Sequence, residues 1–154
     1  MGGGTQDGAD GGGYVERFCQ PGWPPHAIEG SPGAAIIPEL EVRQGDYTIR
    51  KRTYNAFFAT DLDLLLWDLA IERLVICGTV SNICVLNTAG DAAFWGYRVV
   101  IPQDAICALN EFDQQAALRQ ASFLYQAKIV NSKDITPSLC AEERGKGQAG
   151  VTPS

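Results

Sequence analysis

The chain has 154 residues, of which 45% are hydrophobic and 19% charged, the balance of a globular domain able to bury a core. Its net charge of −6 offers no basic surface for nucleic acid or an anionic membrane, and no apolar run approaches the roughly 20 residues of a membrane span. The five cysteines are odd in number and show no C-x-x-C pair, which points to a reducing, cytoplasmic setting, and the single histidine, His26, rules out a multi-histidine metal cage.

Residues 1–13, "MGGGTQDGADGGG", are glycine-rich and low in complexity. They read as a disordered tail, with no basic-then-apolar leader. A proline- and glycine-rich stretch follows to Leu40 and is expected as loop. The segment "YTIRK" (47–51) reads as a short strand. "TDLDLLLWDLAI" reads as a helix in which Thr60 and Asp63 form a capping box and Leu62, Leu65, Leu66 and Leu69 share one face. "RLVICG" has the continuous apolar run of a buried parallel strand. "NICVLNTAGDAAFW" reads as a helix closed by Gly96 in a left-handed cap. "YRVVIP" is the next strand. Asn110 then caps "EFDQQAALRQASFLYQA", with Asp113 at the third position, and "KIVN" is a last strand. This alternation predicts an α/β fold with a parallel sheet over a domain spanning residues 14–136, followed by a loose tail at 137–154.

Cys84 is the residue with chemical promise. It stands just after a strand and a short turn, in the first turn of a helix, at the carboxyl edge where open parallel sheets bind ligands. Free backbone N–H groups and the helix dipole favour a thiolate at such a place, and the same N–H groups can hold an oxyanion. A buried apolar cysteine fits the spacing equally well. Lys51, ending the "YTIRK" strand, points to the same edge and would further favour the thiolate. With Arg50 and Arg52 beside it, composition alone favours a solvated basic cluster. Cys77 lies inside an apolar strand and reads as core.

Three stretches taken together, "EGSPGAAIIPEL", "IRKRTYNAFFATDLDLLL" and "GTVSNICVLNTAGDAAFWGYRVVIPQDA", resemble the isochorismatase-like cysteine hydrolases. That group includes nicotinamidases, N-carbamoylsarcosine amidases and ureidoacrylate amidohydrolases. The resemblance implies a three-layer α-β-α fold with a parallel, Rossmann-like sheet of order 3-2-1-4-5-6. It implies an Asp–Lys–Cys catalytic group whose lysine falls on Lys51 and whose nucleophile falls on Cys84. It also implies a cis peptide at Thr79–Val80 and an oxyanion hole from the Val80 and Cys84 amides. Ser81 stands where threonine is commoner, and Asn55 where serine is commoner. Trp23, Tyr54 and Phe57 are candidates for the substrate pocket, although Trp23 and Phe57 suit a core equally.

The departure is at the front. The resemblance calls for an apolar strand ending in D-x-Q, whose aspartate is the general base, then a helix and a second strand. Neither strand is recognisable before Tyr14, and Asp7 and Asp10, set in glycine-rich sequence, are not matched to that aspartate. Where the family carries metal ligands they lie in that same part, so neither metal nor cofactor is expected, and His26 reads as a surface or pocket-rim residue. Without strands 1 and 2, "YTIRK" has no neighbour in the register the resemblance implies. The leading expectation is a cysteine hydrolase that cleaves a C–N bond of a small amide, ureide or carbamoyl compound through a Cys84 thioester. The second is a shortened, non-catalytic member or a fragment of a longer gene product. A homo-oligomer is possible in either case.

Overall fold

The computed structural model describes residues 27–28 and 30–136. The two tails, Trp23 and His26 lie outside the described residues.

Among the described residues, five short strands run parallel. β1 (Arg73–Val75) pairs with β3 (Arg98–Pro102) in the register Leu74↔Val99, and β3 pairs with β5 (Lys128–Val130) through Ile101↔Ile129. β2 (Gly78–Thr79) continues β1, β4 (Ile106–Cys107) continues β3, and these two extensions pair through Thr79↔Cys107. The strand order β1-β3-β5 follows the chain, as successive crossovers in one direction require. Among the described residues, α1 (Leu62–Asp68) leads into β1, α2 (Leu86–Phe94) connects β2 to β3, and α3 (Glu111–Leu124) connects β4 to β5.

The core lies between the sheet and these helices. Val99, Ile101 and Ile106 from the strands meet Leu66 of α1, Ala89 and Ala92 of α2, and Leu118 and Ala121 of α3. Small residues on α2 let it approach closely. Gly90 faces the Tyr125 ring, whose nearest atom would lie 3.0 Å from an added Cβ. The α3 cap is the one its spacing predicts: the Asn110 side-chain oxygen accepts from the Asp113 amide at 2.9 Å.

Four expectations need correction. The segment 47–51 is irregular chain, not a strand. A strand exists by pairing, and no strand among the described residues lies beside it. β1 is correspondingly less buried than its apolar run predicts: β3 covers one edge, no described strand pairs the other, and Val75 is 42% exposed. At the start of α1, Asp63 does not complete a capping box. Its carboxylate accepts instead from the Tyr97 hydroxyl at 2.8 Å, while the Thr60 hydroxyl accepts from the Leu62 amide at 3.3 Å. The expected apolar face of α1 is also incomplete: Leu66 is buried, and Leu69 is exposed.

Helices α1 and α2 end alike. Beyond α2, Gly96 adopts φ +90°, its amide donates to the Ala93 carbonyl, and the Tyr97 amide donates to the Ala92 carbonyl. Beyond α1, Ala70 takes the glycine's place at φ +51°, with the equivalent bonds to Trp67 and Leu66. Both are Schellman caps, one built on the residue type that suits the left-handed conformation and one without it.

Candidate active site

Cys84 is half-buried in a widened helical turn, Ser81–Val85, that runs directly into α2. The Val80 carbonyl accepts from both the Ile83 amide (3.1 Å) and the Val85 amide (3.3 Å), and the second of these bonds makes the turn wide. The chain enters it through Gly78, at φ +117°, and a cis Thr79–Val80 peptide bond. Ser81 anchors the turn from beneath. It is 1% exposed, and its hydroxyl donates to Gln114 Oε1 on α3 at 2.6 Å. The side-chain oxygen of Asn82 is buried in the same turn and has no partner among the described residues.

Lys51 comes to this turn from a different part of the chain. Its ammonium lies 3.6 Å from Cys84 Sγ and donates to the Thr53 carbonyl at 3.1 Å. The chain following Lys51 is fastened along α2. The Ala56 amide donates to the Thr88 hydroxyl at 3.1 Å, and Asn55 Nδ2 donates to Asp91 Oδ2 at 2.5 Å. Asn55 Oδ1 accepts from the Phe57 amide at 2.9 Å.

Thus Lys51 and Cys84, 33 residues apart in sequence, share one place, with the Val80 and Cys84 amides belonging to the turn that carries the sulfur. Phe57 is 7% exposed and stacks on Tyr97 with ring centroids 5.9 Å apart, which is the core alternative for this residue. Tyr54 is half-buried on the same loop as Lys51. Cys77, expected in the core, is exposed, as is Cys107. Sequence reading missed Asn55, Thr88 and Asp91 as partners. The signal was the spacing Cys84, Thr88, Asp91, which puts all three on one face of a helix.

A surface depression of about 550 Å³, lined by residues including Gln103, Asp104, Cys107 and Gln114, contains neither Lys51 nor Cys84. Its polar groups are engaged with one another. Gln103 donates to Asn131, and the Ser132 hydroxyl and amide bind Asp104, holding that carboxyl below its usual range. No three or more His, Cys, Asp or Glu side chains gather as a metal site among the described residues. The candidate site brings together a thiol and an ammonium.

The profile of the isochorismatase domain matches residues 16–134. The chain belongs to the isochorismatase family. Among its relatives, the uncharacterized isochorismatase family protein YwoC of Bacillus subtilis is 42% identical over 86 residues, which cover 56% of this chain and 46% of that protein. Among solved structures, N-carbamoylsarcosine amidase from Thermoplasma acidophilum superposes with a TM-score of 0.68 at 31% identity, covering 73% of this chain and 64% of that one. The pyrazinamidase/nicotinamidase of Streptococcus mutans superposes with a TM-score of 0.70 at 30% identity, covering 79% and 68%. The chain spans about half the length of the curated relatives it matches. The parallel sheet and its helices are those of the three-layer α/β fold of these isochorismatase-like hydrolases.

Proposed function

We propose that this isochorismatase-family chain carries the nucleophilic half of an amidohydrolase site, directed at a C–N bond of a small amide, ureide or carbamoyl compound. The observation that carries the reading is the 3.6 Å approach of the Lys51 ammonium to Cys84 Sγ. The names of the similar proteins, N-carbamoylsarcosine amidase, nicotinamidase and ureidoacrylate amidohydrolase, support the substrate class.

In this mechanism the Cys84 thiolate attacks the carbonyl carbon, and the Lys51 ammonium steadies the negative charge before and during attack. The carbonyl oxygen becomes an oxyanion held by the Val80 and Cys84 amides. The tetrahedral adduct collapses to a thioester as the nitrogen leaves with a proton, and water then hydrolyses the thioester. That proton comes from a group that first takes it from the Cys84 thiol and then gives it to the nitrogen, and Lys51, while protonated, cannot take it. The resemblance assigns that part to an aspartate, and no carboxylate among the described residues bonds Lys51 or Cys84.

An activated ester tests the nucleophile apart from the base, because p-nitrophenolate leaves without a proton. Acetylation by p-nitrophenyl acetate should fall on Cys84 faster than on Cys77 or Cys107, although the latter two are the more exposed. Peptide mass spectrometry reads the distribution. Preferential labelling of Cys77 and Cys107, following exposure alone, would remove the proposed role of Cys84.

A further inference from the structure

We infer that Asp91 is a positioning residue for Lys51, acting through Asn55; this rests on the thiol–ammonium pairing proposed above. Lys51 is exposed and its side chain is long and flexible, so its own contacts do little to fix it beside Cys84. Its place is set by the backbone from which it projects. Residues 47–51 form no strand, so no sheet pairing among the described residues locates that backbone.

What locates it is α2. Cys84, Thr88 and Asp91 follow an i, i+4, i+7 spacing along one helical face. The loop carrying Lys51 lies along that face and touches it at all three positions. Lys51 meets Cys84 at 3.6 Å, the Ala56 amide meets Thr88 at 3.1 Å, and Asn55 Nδ2 meets Asp91 at 2.5 Å. Asn55 uses both ends of its amide, since Oδ1 accepts from the Phe57 amide. Its own N–H donates to the Thr53 hydroxyl at 3.2 Å, and the Thr53 carbonyl accepts from Lys51. A continuous chain of bonds therefore runs from Asp91 through Asn55 and Thr53 to the ammonium. The bond to a carboxylate is charge-assisted, the strong kind among those named here. The helix that presents the nucleophile thus also holds its cation.

The test is the pH profile of Cys84 alkylation by iodoacetamide in the full chain, read by peptide mass spectrometry, with thermal unfolding measured alongside. Asp91→Ala and Asn55→Ala should each slow alkylation at pH 7 by roughly threefold to tenfold, the weight of a nearby charge partly screened by water, and move the profile to higher pH as Lys51→Ala does. Asp91→Asn, which keeps an acceptor oxygen for Asn55 but not the charge, should restore part of the rate. The double variant Asp91→Ala/Lys51→Ala should be no slower than Lys51→Ala alone, because Asp91 acts through the lysine. If Lys51→Ala slows alkylation while Asp91→Ala and Asn55→Ala lower only the unfolding temperature, the pairing stands and the positioning role is overturned. If Lys51→Ala itself leaves the rate unchanged, the pairing is wrong and the positioning role falls with it. Asn55→Ala lies in a loop and keeps the test decisive should Asp91→Ala fail to fold.

Discussion

The Ser81 hydroxyl donates to Gln114 Oε1 at 2.6 Å, joining the turn that carries Cys84 to the helix two strands further on. Ser81 is almost fully buried, and its loss removes the hydrogen-bond partner of the half-buried Gln114. Ser81→Ala should cost about 0.5–1.5 kcal/mol, the net worth of an intramolecular hydrogen bond. Ser81→Thr keeps the hydroxyl and should retain more of the stability. Chemical denaturation of the two variants checks the order, and equal losses would show that the bond is not what matters at this position.

Tyr97 predicts an alkaline limit to stability. Burial, then its hydrogen bond to Asp63 and the charge of that carboxylate, push the phenol from 10.0 to about 12. The fold holds the neutral form, so this contribution is complete below the ordinary tyrosine range and is lost as pH rises from about 10 towards 12. Denaturation midpoints measured from pH 9 to 12 should fall across that window. Tyr97→Phe should be less stable at neutral pH by about 0.5–1.5 kcal/mol and should flatten the fall. An unchanged slope in Tyr97→Phe would assign the alkaline loss to other groups.

The two Schellman caps predict substitutions of opposite sign. Ala70 holds φ +51° and carries a Cβ in a conformation that glycine adopts freely. Ala70→Gly should therefore stabilise by about 0.5–1 kcal/mol, the left-handed penalty less glycine's extra chain entropy. Gly96→Ala should cost about 1 kcal/mol for the same reason. An alanine Cβ at position 96 would meet nothing within 4 Å, so the cost there is conformational and not steric. Thermal midpoints of the two variants give the signs directly.

Activated esters and amides should separate. The thiol and its cation are in contact, but amide nitrogen leaves only with a proton, and positioned acid–base groups typically contribute about 10²–10⁴-fold in rate. The 154-residue chain should acylate Cys84 with p-nitrophenyl acetate and release ammonia from nicotinamide or pyrazinamide at rates near background. Ammonia release at rates ordinary for enzymes, abolished by Cys84→Ala, would place a working base outside the described residues.

Local chemistry alone determined a good part of this protein. The Asn110 cap of α3, the Gly96 close of α2 and the strands at 73–75, 98–102 and 128–130 all arise from residues within a few positions of one another, so their signals are contiguous in the chain. The family resemblance likewise pointed to Cys84 and Lys51, where spacing alone left a buried cysteine and a solvated basic cluster open. The tertiary structure decided what depends on partners distant in sequence. The strand at 47–51 failed because strand structure belongs to a pair, and no described strand pairs with it. Asp63 left its cap because Tyr97, 34 residues away, offers its carboxylate a hydroxyl beside the core. Asn55 and Asp91 form their bond only because α2 turns one face, carrying the thiol, towards the loop that carries the lysine. Hydrogen bonds and charge act over a few ångströms of space whatever the separation along the chain, and only the folded backbone fixes which groups come that close.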